Sequence, residues 1–121
     1  MTAFALLVSF GICEAENPFH GKVIGYFTDW TGGADTALDS WDGEELTGNE
    51  LAYVFGTIEG QNVTSISKLN ASSSAAESGL ENIQPDSNGT GKRWEIMQPA
   101  YYFGTVDPDM NGVIWFDTSQ P

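Results

Sequence analysis

At 121 residues the chain has room for one domain with one core, and at 40% hydrophobic and 12% aromatic residues it is too apolar to belong to the disordered class. Four basic residues against 17 acidic ones leave a formal charge of −13, which repels phosphate backbones and anionic membranes and argues against nucleic acid as a partner. The single cysteine, Cys13, excludes an internal disulfide, while 14 glycines and five prolines point to short strands joined by turns.

Two regions are expected: residues 1–21 as an apolar arm or signal-like segment with a linker, and residues 22–121 as a single β domain. The apolar run from Ala3 to Ile12 reads in two ways. It is either a signal peptide cut after Ala15, lacking the usual basic start, or an arm whose Phe4, Leu6, Leu7, Val8 and Phe10 bury against the domain or a neighbouring subunit. The run is too short to span a membrane. After the linker carrying Pro18 and His20, Lys22 to Thr28 is rich in β-branched and aromatic residues and is expected to be a strand. Asp29 to Gly33 is a turn, and Ala34 to Trp41 allows one or two helical turns with Ala37, Leu38 and Trp41 on one face. Leu51 to Phe55 is the second strand. Val63 to Leu69 alternates and pairs antiparallel with it through a turn at Glu59 to Asn62.

The stretch from Asn70 to Ile96 is read as a connection that runs through Ser72 to Gly79, a Pro85-Asp86 turn and an Asn88-Gly89 step. It then aims Trp94 and Ile96 back into the core on a fourth strand, Arg93 to Met97. Ala100 to Val106 and Val113 to Phe116 complete six strands. The expected fold is mainly β, a small antiparallel sandwich or open barrel with one short helical turn, its core built on Tyr53, Phe55, Trp94, Ile96, Trp115 and Phe116.

Catalytic patterns are missing. A nucleophile needs a base beside it, and the only imidazole, His20, sits in the linker. A zinc site needs three or four clustered Cys and His ligands, and the chain has two such residues in all. Gly32-Gly33 and Gly89-Thr90-Gly91 give neither a dinucleotide nor a phosphate loop and are read as turns. No enzyme activity and no resident cofactor are therefore expected. One candidate ligand is calcium at Asp107, Asp109 and Asn111, where D-x-D-x-N-G-x-I matches the first eight positions of a calcium loop. Thr118 stands where that loop needs a bidentate glutamate, and a hairpin turn through Asp107 to Gly112 is the preferred reading. A glycan platform on Tyr26, Trp30, Trp41, Tyr101 or Tyr102 is a further reading.

Two resemblances bear on function. Thr31-Gly32-Gly33 with Ala37-Leu38-Asp39, Leu46 to Val54, Ser72 to Glu77, Ile83 to Asp86 and Gly91 to Trp94 together resemble a segment of bacteriophage tail-fibre and other virion-appendage proteins. Gly112 to Ser119 resembles a G-x-x-W-x-D-T-S strand of the same proteins. The resemblance implies a structural module of a homo-oligomeric assembly, often trimeric, that docks to other virion or filament proteins in a virion or extracellular setting. Locally, Lys22 to Trp30 with Leu51 to Gly56 is similar to the first two barrel strands of TIM-barrel chitinases. That likeness suits a secreted protein, but the acidic D-x-x-D-x-D-x-E motif is absent. The expected function is thus structural assembly, with a secreted carbohydrate-binding or calcium-dependent adhesion module as the alternative.

Overall fold

The computed structural model describes residues 22–119. The arm residues Phe4, Leu6, Leu7, Val8 and Phe10, with Cys13 and His20, lie outside the described residues. The described chain is mainly β. Its seven strands are β1 (Val23–Phe27), β2 (Leu51–Ile58), β3 (Gln61–Asn70), β4 (Asn82–Ile83), β5 (Arg93–Ile96), β6 (Ala100–Gly104) and β7 (Val113–Asp117). Two single 3-10 turns, Leu38–Ser40 and Gly43–Glu45, are the helical content.

Five strands form one open sheet in the order β1-β2-β3-β5-β4, and β6 and β7 form a second, two-stranded sheet. At the centre, β2 and β3 pair antiparallel from Leu51↔Lys68 to Ile58↔Gln61. Their connection is the pair Glu59-Gly60, with φ of 49° and 78°. Two successive positive φ values match the right-handed twist of the flanking strands, which is why two residues suffice. β5 then pairs antiparallel with both β3 and β4, so the stretch from Asn70 to Ile96 places a short extra strand at the far edge of the sheet.

The antiparallel expectation fails in two places. β1 runs parallel to β2, with Val23 opposite Leu51 and Phe27 opposite Val54. β6 runs parallel to β7, with Ala100 opposite Val113 and Gly104 opposite Asp117. The segment Asp107 to Gly112 is therefore no hairpin turn. It belongs to a return connection that brings the chain back beside the start of β6, where the Ala100 N–H donates to the Gly112 carbonyl at 2.9 Å. Strands this short need only a short return.

One apolar cluster joins both sheets, from Phe27, Trp30 and Leu38 through Val54, Val63 and Leu69 to Ile83, Trp94 and Tyr102. Trp94 is fully buried, with Leu69 opposite it on β3 and Ile83 on β4. Ile96, Trp115 and Trp41 are half-buried and pack on the cluster's edge. Tyr53 is half-buried, but Phe55 and Phe116 leave 51% and 42% of their surface open and are not core. The physical reason is the period-two alternation of a strand. On β2 the inward positions are Ala52, Val54, Gly56 and Ile58, so Tyr53 and Phe55 must point out.

Candidate functional site

The uncovered aromatic faces are the most unusual feature of this small domain. On β2 the inward Gly56 lies over the buried Trp30: a Cβ on Gly56 would lie 2.5 Å from the indole ring. The Trp30 Nε1–H donates to Ser65 Oγ at 2.7 Å, fixing the ring beneath the central hairpin. The opposite face then carries Tyr26, Tyr53 and Phe55 as a stacked group. Their centroids are separated by 5.6 Å (Tyr26 to Tyr53), 6.1 Å (Tyr26 to Phe55) and 6.3 Å (Tyr53 to Phe55). Tyr26 is 72% exposed.

The second sheet repeats the pattern. Ala100, Tyr102 and Gly104 face inward, and the Trp115 Nε1–H donates to the Gly104 carbonyl at 2.9 Å. Outward point Tyr101, Phe103, Ile114 and Phe116, each more than two-fifths exposed. Phe103 and Phe116 stack at 4.7 Å, and Tyr101 leans on Phe116 at 5.9 Å.

Of the five residues expected to offer a glycan platform, only Tyr26 and Tyr101 are open. Trp30 and Tyr102 are buried, and Trp41 packs edge-on against Phe27 at 6.2 Å. Phe55, Phe103 and Phe116 are the surface residues that sequence reasoning missed. The signal was present, since Ala-Tyr-Val-Phe-Gly and Ala-Tyr-Tyr-Phe-Gly both alternate small or inward residues with large rings.

Beside the first aromatic group the same sheet face turns polar. Thr64, Ile66, Lys68 and Asn70 follow one another outward along β3, and Ile66 lies opposite Tyr53. Between the Thr47 to Asn49 turn, the end of β3 and β5 opens a cleft of about 510 Å³ lined by Asn49, Lys68, Asn70 and Glu95, among others. The Asn70 amide donates to both Glu95 carboxylate oxygens at 3.3 Å. Glu50 holds the Thr47-Gly48 turn that lines one side of this cleft. Burial pushes its carboxyl up, but the N–H groups of Thr47 and Gly48, at 2.8 and 2.7 Å, together with the Thr47 hydroxyl, outweigh burial and hold it below the ordinary value.

The calcium candidates have local duties. Asp107 Oδ1 accepts from the Asp109 N–H at 2.8 Å, an Asx turn, and the Asn111 amide donates to Ser78 Oγ. Among the described residues no group of three or more His, Cys, Asp or Glu is placed to hold a metal.

Among the described residues Asp39 is the one buried acid with an unpaired oxygen. Its Oδ2 accepts from the Gly32 N–H at 3.1 Å, its backbone carbonyl accepts from the Asp86 N–H at 2.8 Å, and its Oδ1 has no hydrogen-bond partner. Desolvation pushes its carboxyl above the ordinary value of 3.8; the Gly32 N–H opposes this, while the nearby charges of Asp86 and Glu77 add to it. With the folded-state pKa raised, the unfolded chain releases this proton first, so the contribution of Asp39 is fully present below the ordinary value and is lost as pH rises through the folded one. Asp39→Asn is therefore expected to stabilise the domain at pH 7, because it removes the carboxylate charge that burial, Asp86 and Glu77 disfavour while keeping an oxygen that can accept from the Gly32 N–H. Thermal melts at several pH values check this, and a gain that persists unchanged in strong acid would contradict it.

Among the described residues no helix is long and apolar enough to cross a membrane. Compared with known proteins, the chain matches no family model, no curated protein and no solved structure.

Proposed function

We propose that this chain is a non-enzymatic structural module that works by docking its uncovered aromatic faces onto partners, including further copies of itself. The observation that carries this reading is that both parallel strand pairs, β1-β2 and β6-β7, leave stacked rings open on their outer side. Parallel sheets are ordinarily covered on both faces, and the largest apolar patch on a small domain is often functional. The setting, a phage-like virion appendage or an extracellular filament, rests on the resemblance of residues 31–95 and 112–119 to such modules. Light scattering and negative-stain images of the purified chain are expected to show closed oligomers, rings or fibres. A species that stays monomeric at every concentration would overturn the reading.

A second reading is favoured by one specific arrangement: Tyr26, Tyr53 and Phe55 form an open stacked group on the sheet face where β3 presents Lys68 and Asn70, two of the residues that line the polar cleft. Aromatic faces stack on the apolar side of a sugar while amides and carboxylates take its hydroxyls, so this face suits a neutral glycan. A glycan array decides it, with binding lost in Tyr26→Ala; an array without hits removes the carbohydrate reading.

A further inference from the structure

We infer that the outer face of β6 and β7 is the surface on which a second copy of this chain docks, face to face, about a two-fold axis. The inference rests on the docking reading and names its partner. Charge decides between the two aromatic faces. Two copies carrying a formal −13 each repel one another, so they can meet closely only where the surface is free of acids. Residues 98–106 and 110–116 contain no charged side chain, and they supply all of β6, nearly all of β7 and the exposed Tyr101, Phe103, Ile114 and Phe116. The sheet face carrying Tyr26 and Phe55 is different, because the strand register puts Lys68 and Glu95 on it.

Area points the same way. Taking about 200 Å² for each large side chain, those four residues leave on the order of 400 Å² open, the size of the largest patch on an ordinary monomer. A stable pair buries about 800 Å² on each partner, so the patch supplies about half of that as an apolar centre and the surface around it the remainder. Pairing the same patch on both copies is isologous and closes at two. It also gives the β6-β7 parallel pair the second cover that such sheets otherwise have.

The test is the mass of the full chain by light scattering over a roughly hundred-fold concentration range, in low and high salt. A dimer is expected that tightens several-fold in high salt, because screening removes like-charge repulsion. Phe103→Asp is expected to give a folded monomer, while Tyr26→Asp leaves the dimer intact. A dimer that survives Phe103→Asp but is lost in Tyr26→Asp overturns this assignment and leaves the docking reading standing. A wild-type chain that is monomeric throughout overturns both. Should Phe103→Asp fail to fold, hydrogen exchange on the wild type replaces it. Protection of Ala100–Gly104 and Val113–Asp117 amides that rises with concentration supports the face, and unchanged protection in a concentration range where the mass doubles refutes it.

Discussion

Replacing Trp94 by alanine is expected to remove about 3–5 kcal/mol of stability, the range for deleting a buried aromatic side chain. Native domains hold only about 5–15 kcal/mol in total, so the variant would be largely unfolded in mild urea. Trp94 is the largest side chain with no solvent exposure, and it sits where three strands of the main sheet, β3, β5 and β4, lie side by side. Its indole N–H is buried without an acceptor. Trp94→Phe should therefore cost much less than Trp94→Ala, because the lost N–H satisfied nothing. Urea denaturation of the two variants checks both statements, and an unchanged midpoint for Trp94→Ala would show that the centre of the core lies elsewhere.

Gly89→Ala is expected to cost about 3 kcal/mol, at the upper end of overpacking effects. A Cβ there would lie 2.0 Å from the Pro85 carbonyl oxygen and 2.9 Å from its carbon, and backbone cannot swing aside as a long side chain can. The turn is also pinned from outside. The Gly89 carbonyl accepts from the Lys92 N–H at 3.0 Å, and a Cβ on Gly43 would meet the Asn88 oxygen at 2.2 Å. Lys92 completes the docking, its ammonium donating to the carbonyls of Gly43 and Leu46 at 2.5 and 2.7 Å. Gly91 makes the control, since it has φ of 76° with open space around it and should lose only about 1–2 kcal/mol of backbone strain on substitution by alanine. Equal melting losses for the two variants would mean that conformation, not the close approach to Pro85, sets the effect.

The strands β1, β2, β3, β5, β6 and β7 were legible within a few residues because β-branched and aromatic runs are bounded by Gly, Pro, Asn and Asp. The strand β4 was not, since Asn82–Ile83 is too short to carry a pattern. Strand direction was equally hidden. Nothing in Val23–Phe27 distinguishes a parallel from an antiparallel neighbour, and the path through Asp29 to Glu50 decides it. Burial of Trp94 could be read from its place at the end of a crossover. Exposure of Phe55 and Phe103 is signalled by the small residues that alternate with their rings, whereas that of Phe116 is not, because both faces of Val113–Asp117 are apolar and only the tertiary arrangement tells which one is covered. The candidate site is thus half visible in the sequence: Tyr26 and Tyr101 stand among the expected platform residues, whereas Tyr53, Phe55 and Phe116 are expected in the core and Phe103 carries no expectation.

The Glu59-Gly60 turn also bears on how the sheet is built in time. Closing β2 against β3 immobilises two loop residues, an event on the microsecond scale for hairpins. Seating β1 beside β2 requires closing the whole Thr28 to Glu50 connection, and the entropy of that closure is spent before any ladder bond returns it. The central hairpin is accordingly the part of the domain that local chain physics can assemble first, and β1, which carries Tyr26, joins a template that already exists.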